Sequence, residues 1–565
     1  MLDTLSESTT PLSFFTFLIA AVVALFLGSL LIDQLKHPHA FGTKARPDLF
    51  APPGTYPFLG LWIRELLVRD RQPELWVRFL YEREAAGIKD PSKAVSSTIP
   101  FRRFVGMTTP EHLQHIQLNN FSNYAKGPIS RQVMGQVLGR GIFTSDGEAW
   151  NSQRKATSRI FTNANYRDII SSSISSSLYD FLSVMAYFAD SGKEIKLSKL
   201  FFSVTLDSFC EMAFSTSPGA VKGEKEGKSV PFAAAFDYTQ LVMTRRFSNP
   251  LFKLTEFLTG ERGRMKSAVT VVHSYTNNLI REREKELEAK REKGDLDGEQ
   301  DGEEGGGGAT DLLGQFLRMR EKEGLSDEAV RDATINLIIA GRDTTAGNLS
   351  WCCFHLLKQP HLIEKLRAEA VEHGLTGLSS SSDAEGERVR MLEFDELKEM
   401  NYSLAVWYET ARLHPAVPVN FWQALGDDQI PNGPRIEKGD LVAWSDWASA
   451  RNVSLWGSDA GVFNPSRWLD GKTGKFRKES EFLMHSFNGG RRRCLGEVLA
   501  NFEGVAILLA LLLSFDLDFA PNYLDKTEMV RTEWCGVETP RYANALTLPM
   551  LKPLRVVATR RKTLD

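Results

Sequence analysis

The apolar and polar positions of this chain recur mostly with the period of an α-helix, over residues 71–550. Short strand-like pieces interrupt the pattern near 95–99, 441–444 and 546–549. The longest helical run begins after Ser326, a hydroxyl cap followed by acidic residues, and ends before Pro360. The sequence therefore predicts an α-rich domain with small sheets, crossed by one helix about 45–50 Å long.

An uncharged segment near the N-terminus predicts a membrane anchor. Residues 12–32 are long enough to cross a bilayer as a helix. The preceding residues include Asp3 and Glu7 but no lysine or arginine, so they lack the basic start of a cleavable signal peptide. The alternative is a core helix that lies at the extreme N-terminus.

Basic residues after the anchor predict its orientation. By the positive-inside rule, residues 1–11 lie in the lumen of the endoplasmic reticulum and everything after the anchor lies in the cytosol. Residues 33–60 are expected to form a linker, in which Pro52 and Pro53 stiffen the passage into the domain. Residues 61–565 are expected to form one large domain.

Two polar segments break the helical pattern. Residues 281–308 are dense in charge and then rich in glycine, and residues 379–390 are a shorter polar stretch. Both are too polar to bury much surface. We expect two solvated insertions, with a regulatory role as the alternative.

Composition excludes several classes of function. The net charge of -3 gives no reason to expect a nucleic acid or another polyanionic partner. The 5 cysteines form no C-x-x-C pair and show no metal-ligand spacing with histidine. This usage fits a reducing compartment and argues against a disulfide framework or a zinc site.

The strongest chemical signal is the pattern F-x-x-G-x-R-x-C-x-G, from Phe487 to Gly496. Gly490 and Gly496 would let the backbone pass close to a flat macrocycle. An apolar helical run follows, so Cys494 lies near a helix N-terminus that favours a thiolate. A thiolate is the axial ligand that pushes electron density into haem iron. The alternative is an inert buried cysteine.

A second strong signal, Ala-Gly-Arg-Asp-Thr-Thr, lies in the middle of the long helical run, from Ala340 to Thr345. Gly341 would let the backbone approach a ligand. An acid and hydroxyls are poor choices inside a helix unless they are used, and a threonine bonded to the previous turn can bend it. Asp343 and Thr344 thus form an acid–alcohol pair suited to proton transfer. A helix cap or a solvated polar face is the alternative.

Two further pairs are weak signals by themselves. Glu409 and Arg412 share one helical face and can form an ion pair. Trp150 and Arg154 are one helical turn apart. Their value comes from their order along the chain relative to the two stronger motifs.

In this order the four motifs resemble those of cytochrome P-450 monooxygenases, over about residues 52–555. The resemblance implies the P-450 fold, mainly α with small sheets, behind one N-terminal transmembrane helix. It implies haem b as the cofactor, with Cys494 as the axial ligand of the iron. The residues that would contact the haem are Trp150, Arg154, Phe487, Gly490, Arg492 and Gly496.

The same resemblance implies roles for the remaining polar residues. Asp343 would relay protons from the surface, and Thr344 would hold bound oxygen and its water. Glu409, Arg412 and Arg467 would form a buried charge triad that stabilises the proximal side of the haem. That role is structural, because breaking the triad would strand a buried charge.

Three longer strings are similar to the fungal alkane and fatty-acid hydroxylases: residues 141–147, residues 340–346 with Arg342 inside them, and residues 415–420. This similarity implies hydroxylation of a lipophilic substrate, a long aliphatic chain, at or near its terminal carbon. It also implies electrons from NADPH through a membrane-bound NADPH–cytochrome reductase, with cytochrome b5 as an optional second donor.

Three alternatives to this function stay open. A tailoring monooxygenase of a fungal secondary-metabolite or glycolipid pathway would keep the chemistry and change the substrate. A thiolate-haem isomerase or dehydratase would need no reductase, and a haem sensor would need no catalysis. The intact pair of Asp343 and Thr344 argues against the last two, because neither needs a route for protons.

The chain departs from the family pattern at three positions. Trp422 stands where the family usually has an arginine directed at a haem carboxylate, Arg491 where proline is common, and Gly489 where alanine is common. Trp422 would remove one haem anchor and add bulk near the substrate channel. Arg491 and Arg493 are expected on the proximal face, either as a docking patch for the reductase or as ordinary solvated side chains.

Apolar segments are expected, by position alone, to line the substrate channel. They are residues 121–138, Ile338 and Ile339 on the long helix, residues 417–421 and residues 546–550. Such residues suit a lipid chain, but they suit any protein core equally well.

Overall fold

The protein is mainly α-helical over the residues that the computed structural model describes, which are 11–159, 161, 165–228, 230–292, 311–378, 389–531 and 538–561. Its α-helices are α1 (Pro11–Lys36), α2 (Trp62–Leu67), α3 (Gln72–Ala85), α4 (Pro110–Gln114), α5 (Gly127–Leu138), α6 (Gly147–Ser158), α7 (Ser171–Ser191), α8 (Leu197–Phe214), α9 (Ala220–Lys225), α10 (Pro231–Phe247), α11 (Phe252–Leu258), α12 (Glu261–Glu292), α13 (Leu312–Glu323), α14 (Asp327–Lys358), α15 (Pro360–Glu372), α16 (Asn401–Leu413), α17 (Asp446–Ala450), α18 (Val453–Trp456) and α19 (Glu497–Ser514). The α-rich fold predicted from the sequence is confirmed.

The strands are short, and most of them belong to two small sheets. They are β1 (Ser96–Ile99), β2 (Arg102–Gly106), β3 (Tyr124–Ala125), β4 (Ile195–Lys196), β5 (Asn420–Ala424), β6 (Asp428–Gln429), β7 (Arg435–Ile436), β8 (Leu441–Trp444), β9 (Phe515–Phe519), β10 (Met529–Arg531), β11 (Glu538–Pro540) and β12 (Arg555–Arg560). One sheet has the order β1-β2-β8-β5-β3, with β2 and β8 parallel and the other neighbours antiparallel. The other has the order β4-β12-β9.

One predicted strand is wrong. Residues 546–549 form a bend and irregular chain rather than a strand. The carbonyl of Leu548 accepts a 2.9 Å hydrogen bond from the indole N–H of Trp351, so a side chain satisfies the backbone there instead of a neighbouring strand. The other two strand-like pieces coincide with β1 and β8.

Helix α14 crosses the centre of the domain. It begins where the Ser326 hydroxyl accepts a hydrogen bond from the N–H of Ala329, and it ends at Lys358, as the cap and Pro360 predict. It packs against α8 and α19, two helices with apolar residues on nearly every side. Such helices must be buried to be stable in water, and together the three form the core.

Helix α1 is a candidate membrane anchor. It extends beyond Ile32 to Lys36, and from Leu18 onward almost all of its apolar surface is exposed. In the described part of the chain, α19 is also long and apolar enough to span a bilayer, but it is buried in the core. Exposed apolar surface of this extent separates a lipid-facing helix from a core helix.

The predicted linker, residues 33–60, lies against the domain. The Gln34 side chain accepts a hydrogen bond from the N–H of Phe58 at 3.0 Å. Ala40 is fully buried, and Arg46 forms an ion pair with Asp440 at 3.4 Å. The end of the anchor is therefore fastened to the domain surface rather than joined to it by a free chain.

The first predicted insertion begins later than expected. Helix α12 continues to Glu292, beyond the approximate start of the insertion at residue 281. Charges of both signs stabilise this extension: Arg283 pairs with Glu286 one turn later, at 2.7 Å, and with Asp311 at 2.8 Å. The remainder of the insertion, 293–308, lies outside the described residues.

The second predicted insertion, 379–390, is described only at its end. Val389 is buried, and Arg390 donates a hydrogen bond to the carbonyl of His373 at 2.9 Å and pairs with Glu396. These two residues therefore belong to the folded domain, and residues 379–388 lie outside the described part.

Candidate active site

The loop that carries Cys494 is held by its own backbone and by a neighbouring turn. The N–H of Cys494 donates a 2.8 Å hydrogen bond to the carbonyl of Phe487. Gly490 has φ +59°, and a Cβ there would lie 2.3 Å from the carbonyl oxygen of Gln117. Gly490 is thus required by the adjacent protein backbone. Gly496 has φ -88°, open to any residue, and a Cβ there would lie 4.0 Å from the Cys494 sulfur.

The sulfur of Cys494 is accessible although its loop lies within the fold. The residue is exposed, and it precedes helix α19, whose N-cap is Gly496. Burial by the surrounding loop raises the pKa of the Cys494 thiol to about 11, outweighing the hydrogen bond from Gly496 that lowers it. A metal ion deprotonates a coordinating thiol outright.

A buried hydrogen-bond chain fixes the same loop, and sequence reasoning missed it. His485 Nδ1 lies 2.9 Å from Asp446 Oδ1, and His485 Nε2 lies 2.9 Å from Gln117 Oε1. Gln117 Nε2 in turn donates to Asn488 Oδ1 at 3.2 Å. Asn488 adopts φ +61°, a conformation that asparagine tolerates better than most residues.

Cationic side chains converge beside this loop. Arg492 lies over the ring of Trp150 at 4.5 Å, and Arg154 lies over the same ring at 5.7 Å. Asp146 pairs with Arg492 at 2.9 Å. Burial, followed by repulsion from Arg492, lowers the pKa of the Lys126 ammonium to about 7. The predicted residues Trp150, Arg154 and Arg492 are thus close together, within an excess of positive charge.

These residues fit a haem. The accessible sulfur of Cys494 suits an axial position on iron. Haem carries two carboxylates, and Lys126 and Arg154, beside the Arg492–Asp146 pair, are the cations that such groups need in a low-dielectric interior. The donor set and its charge therefore agree with the cofactor expected from the sequence.

The middle of α14 faces an opening. Ala340, Gly341 and Thr344 are partly exposed in a helix whose neighbouring turns are buried. The Thr344 hydroxyl donates to the carbonyl of Ala340 at 2.8 Å. A Cβ on Gly341 would lie 2.0 Å from the ring of Phe209, so this glycine accommodates a helix neighbour rather than a ligand. The helix itself is unbroken.

Asp343 is buried behind this opening and is held from two sides. Gln240 Nε2 donates to Asp343 Oδ2 at 2.6 Å, and Arg342 Nη1 donates to Asp343 Oδ1 at 2.9 Å. Arg342 also pairs with Asp237 at 2.8 Å, and the Asp237 side chain is 58% exposed. Burial raises the pKa of Asp343 although Arg342 opposes the shift. A polar connection therefore leads from solvent to the interior acid.

The charge cluster expected from Glu409, Arg412 and Arg467 is brought together. Glu409 and Arg412 form a bidentate pair with both contacts at 2.8 Å, and Arg467 Nε lies 3.7 Å from Glu409 Oε1. The indole N–H of Trp468 donates to Glu409 Oε2 at 2.9 Å. Both members of the close pair are buried, so the carboxylate is fully engaged inside the protein.

Only some of the residues expected to line the substrate channel are accessible in the structure. Ile338 and Ile339 are buried, and the partly exposed residues in the middle of α14 are Ala340, Gly341 and Thr344. Residues three or four positions apart share one face of a helix, so Ala340 and Thr344 lie on the same side, towards the opening. On β5, the partly exposed Phe421 packs edge-on against other rings.

That aromatic contact was not apparent from the sequence. Phe421 meets Phe104 of β2 at 5.7 Å and Phe247 at the end of α10 at 5.3 Å. The three residues come from distant parts of the chain, so no local pattern predicts their contact. They form an aromatic wall across β2, β5 and α10.

Arg491 and Arg493 differ in environment. Arg491 is exposed and lies 5.4 Å from the ring of Phe121. Arg493 pairs with Glu497 at 2.7 Å and with Glu481 at 3.2 Å. The charge of Arg493 is therefore offset locally, and Arg491 is the freer of the two to meet an acidic partner.

Comparison with known proteins agrees with this geometry. The cytochrome P450 family model matches residues 89–542. Cytochrome P450 monooxygenase cyp1 of Mycosarcoma maydis is 36% identical over 555 residues, 96% of this chain and 80% of that protein. Cytochrome P450 704B1 of Arabidopsis thaliana is 31% identical over 502 residues, 85% of this chain and 92% of that protein. Cytochrome P450 86B1 of Arabidopsis thaliana is 32% identical over 407 residues, 70% of this chain and 68% of that protein.

The family match spans the Cys494 loop, the centre of α14 and the Glu409 cluster. The family also implies a haem cofactor, which suits the exposed thiol of Cys494 and the nearby cations. This chain belongs to the cytochrome P450 family of monooxygenases.

Proposed function

We propose that this monooxygenase hydroxylates long-chain fatty acids or alkanes at or near the terminal carbon. The observation that carries the proposal is the aromatic wall of Phe104, Phe247 and Phe421, which gives an apolar chain a surface to lie against. The similarity of residues 340–346 and 415–420 to the fungal hydroxylases of such substrates supports it.

Each polar residue of the site has a role in this reaction. Haem bound through Cys494 supplies the activation of dioxygen. Thr344 presents a hydroxyl at the opening of α14, and Asp343 behind it takes up and releases protons. Arg342 holds the Asp343 carboxylate and connects it to the exposed Asp237.

Protein groups would hold the haem through its iron and through its carboxylates. Arg154 and Arg492 would bind its carboxylates, and Trp150 packs against both arginines. Phe487, Gly490 and Gly496 shape the loop around the ligand. Glu409, Arg412 and Arg467 stabilise the proximal side from within the core.

The electron donor and the substrate both reach the enzyme at the membrane. Helix α1 anchors the enzyme in the endoplasmic reticulum as a single pass, with residues 1–11 in the lumen and the domain in the cytosol. An NADPH–cytochrome reductase, optionally with cytochrome b5, delivers the electrons, and Arg491 belongs to its docking surface. An aliphatic substrate dissolved in the same bilayer reaches the site without entering water.

The test uses membranes that contain the full chain and a fungal NADPH reductase. Saturated fatty acids of increasing chain length and the matching alkanes are added, the Soret shift is recorded, and products are identified by mass spectrometry. We expect a high-spin shift and hydroxylation at or next to the methyl end, both absent from Cys494→Ala. A haem-replete enzyme that ignores every chain would reject the substrate class and favour the tailoring monooxygenase.

A further inference from the structure

Arg102 is a buried arginine whose guanidinium group has one unoccupied edge. Only 6% of the residue is exposed. Its Nη1 donates hydrogen bonds to the carbonyls of Phe247, at 2.7 Å, and Arg246, at 3.4 Å. Among the described residues, Nε and Nη2 have no hydrogen-bond acceptor. Neither nitrogen is enclosed by protein, whereas Nε of the neighbouring Arg103 is, so both can reach a further group.

The open edge of Arg102 is the one that binds carboxylates elsewhere in this protein. Arg246 donates from Nε and Nη2 to the two carboxylate oxygens of Glu256, at 2.6 and 2.9 Å. Arg412 binds Glu409 in the same way, with both contacts at 2.8 Å. The two parallel N–H groups match the spacing of the two carboxylate oxygens, which makes such pairs strong and selective. Arg102 therefore presents a bidentate carboxylate site that no described acid fills.

One acid acts on Arg102 from a distance. In the described part of the chain no carboxylate lies within ion-pair distance of Arg102, and its electrostatic partner is Glu65. Glu65 instead accepts a 2.8 Å hydrogen bond from the Ser97 hydroxyl. Burial raises the pKa of the Glu65 carboxyl to about 7, so near neutral pH it is ionised in only part of the molecules. An arginine cannot shed its proton, so the buried charge of Arg102 still lacks a close anion.

Arg102 lies beside the aromatic wall of Phe104, Phe247 and Phe421. Arg102 and Phe104 are two positions apart in β2, so their side chains lie on the same face of the strand. Phe247, whose carbonyl holds the guanidinium group, contributes its ring to the wall. Phe247 and Phe421 are both partly exposed. A positive charge at the edge of an accessible apolar surface suits a ligand with an anionic head and an apolar chain.

We propose that Arg102 binds the carboxylate of a long-chain fatty acid through Nε and Nη2, while the aliphatic chain lies along the aromatic wall. The inference rests on the proposed function and narrows its substrate class to fatty acids. An alkane could use the wall, but it would leave the guanidinium edge without an acceptor. It would therefore bind more weakly than the matching acid.

Helix α10 sets the direction of the chain. Its end at Phe247 lies beside Arg102. Gln240, about two turns or about 10 Å earlier on the helix, donates to Asp343 in the middle of α14. A chain bound by its carboxylate at Arg102 therefore extends along α10 towards the opening beside Thr344, with its methyl end first. This direction agrees with the proposed hydroxylation at or near the terminal carbon.

The test compares palmitate, methyl palmitate and hexadecane, which share a chain length and differ in the group at one end. Membranes that contain the full chain and a fungal NADPH reductase provide KM, kcat and the position of the hydroxyl group. Arg102→Gln keeps a donor for the Phe247 carbonyl and removes the charge and the bidentate edge. It should raise the ratio of KM for palmitate to KM for methyl palmitate about 10- to 100-fold, the effect of losing charge-assisted hydrogen bonds. Without this anchor the chain can slide, so hydroxylation of palmitate should spread to carbons further from the methyl end.

Two further variants separate recognition of the carboxylate from support of the fold. Lysine keeps the charge without the bidentate edge, so Arg102→Lys should restore part of the preference for palmitate. Glu65→Gln removes the acid that competes with the substrate for Arg102, so it should lower KM for palmitate and not for methyl palmitate. A purely structural role of Arg102 predicts neither result.

Arg245→Gln is the matched control. Arg245 lies at the same end of α10 and is partly exposed, and the acids with which it pairs, Asp70 and Glu261, are each 3.9 Å away. Removing this charge should keep the wild-type ratio of KM values, because these acids lie outside the aromatic wall. An equal change in Arg245→Gln and Arg102→Gln would show that the overall positive charge is responsible, and it would overturn the inference.

The outcomes distinguish this inference from the proposed function. A wild type that hydroxylates fatty acids, with Arg102→Gln raising KM for palmitate and methyl palmitate alike, would overturn the inference and leave the proposed function intact. A wild type that retains haem but hydroxylates none of the three substrates would reject the proposed function, and the inference with it.

Discussion

Gln240 of α10 donates a 2.6 Å hydrogen bond to the buried carboxylate of Asp343 in the middle of α14. The helix that carries Gln240 ends at Phe247, which packs on Phe421 in the aromatic wall. One helix thus touches both the proposed proton donor and the proposed substrate surface. A substrate that shifts α10 would change the hydrogen bonding of the acid at the same time.

Replacing Gln240 by Leu should shift the pH dependence of turnover. The hydrogen bond from Gln240 lowers the pKa of Asp343, opposing the larger upward effect of burial. Removing it should raise that pKa further, so the pH–rate profile should move to higher pH. The measurement is product formation against pH at saturating substrate. Thr244→Val, on the same helix, is the control, because its hydroxyl bonds to its own helix; an equal shift in both variants would contradict the prediction.

Thr344→Ala should uncouple oxygen reduction from product formation. The variant removes the hydroxyl at the opening of α14 and leaves Asp343 in place. The rate of product formation should fall about a hundredfold, the lower end of the range for losing a positioned proton-transfer group, and product per NADPH consumed should fall with it. Hydrogen peroxide should account for the missing electrons.

Thr345→Val tests whether this effect is specific to its neighbour. Thr345 is buried on the other side of α14, towards Glu503, so its loss should leave the ratio of product to NADPH unchanged. Uncoupling by Thr345→Val as severe as that by Thr344→Ala would show that general disturbance of the helix is responsible.

Glu409→Gln should destabilise the fold and release haem. The variant leaves Arg412 buried without its charged bidentate partner, and it replaces one of the two oxygens that accept from Arg412 and the Trp468 indole N–H by an NH₂ donor. Removing one partner of a buried pair costs about 3–5 kcal/mol. Urea denaturation in detergent and the haem content of the purified protein measure the two effects. Asp395→Asn, which breaks an exposed pair with Arg167, should change both by little.

Local sequence patterns were sufficient to predict contacts between residues that are close in sequence. The cap at Ser326, the spacing of Glu409 and Arg412, and the cysteine loop all follow from neighbouring residues. The charged stretch before Glu292 was misjudged, because helical ion pairs such as Arg283 with Glu286 stabilise a helix without an apolar face.

Contacts between distant segments could not be predicted in this way. His485 and Gln117 are separated by 368 positions, and Gln240 and Asp343 by 103. Each pair depends on how two elements are placed in space, and a single polar residue carries no signal of its partner.

Glu503 provides the clearest case for pH-dependent stability. It is buried in α19, accepts a hydrogen bond from the Ser208 hydroxyl and faces Thr345 of α14. Burial raises the pKa of this carboxyl from its usual 4.5 to about 8, although both hydroxyls oppose the shift. The folded protein therefore keeps Glu503 neutral at pH values where the unfolded chain ionises it.

The sign follows from proton binding. The folded state binds more protons than the unfolded state between the two pKa values, so this group favours folding below pH 4.5 and loses that contribution as pH rises towards 8. Glu503→Gln cannot ionise and should lack this loss, which amounts to about 5 kcal/mol over the interval. The free energy of unfolding of the variant, from urea titrations of the detergent-solubilised protein, should gain on the wild type steadily as pH increases. Glu372→Gln, at an exposed helix end, controls for the removal of one negative charge; a pH dependence of Glu503→Gln that parallels the wild type would show that Glu503 is already ionised in the folded protein.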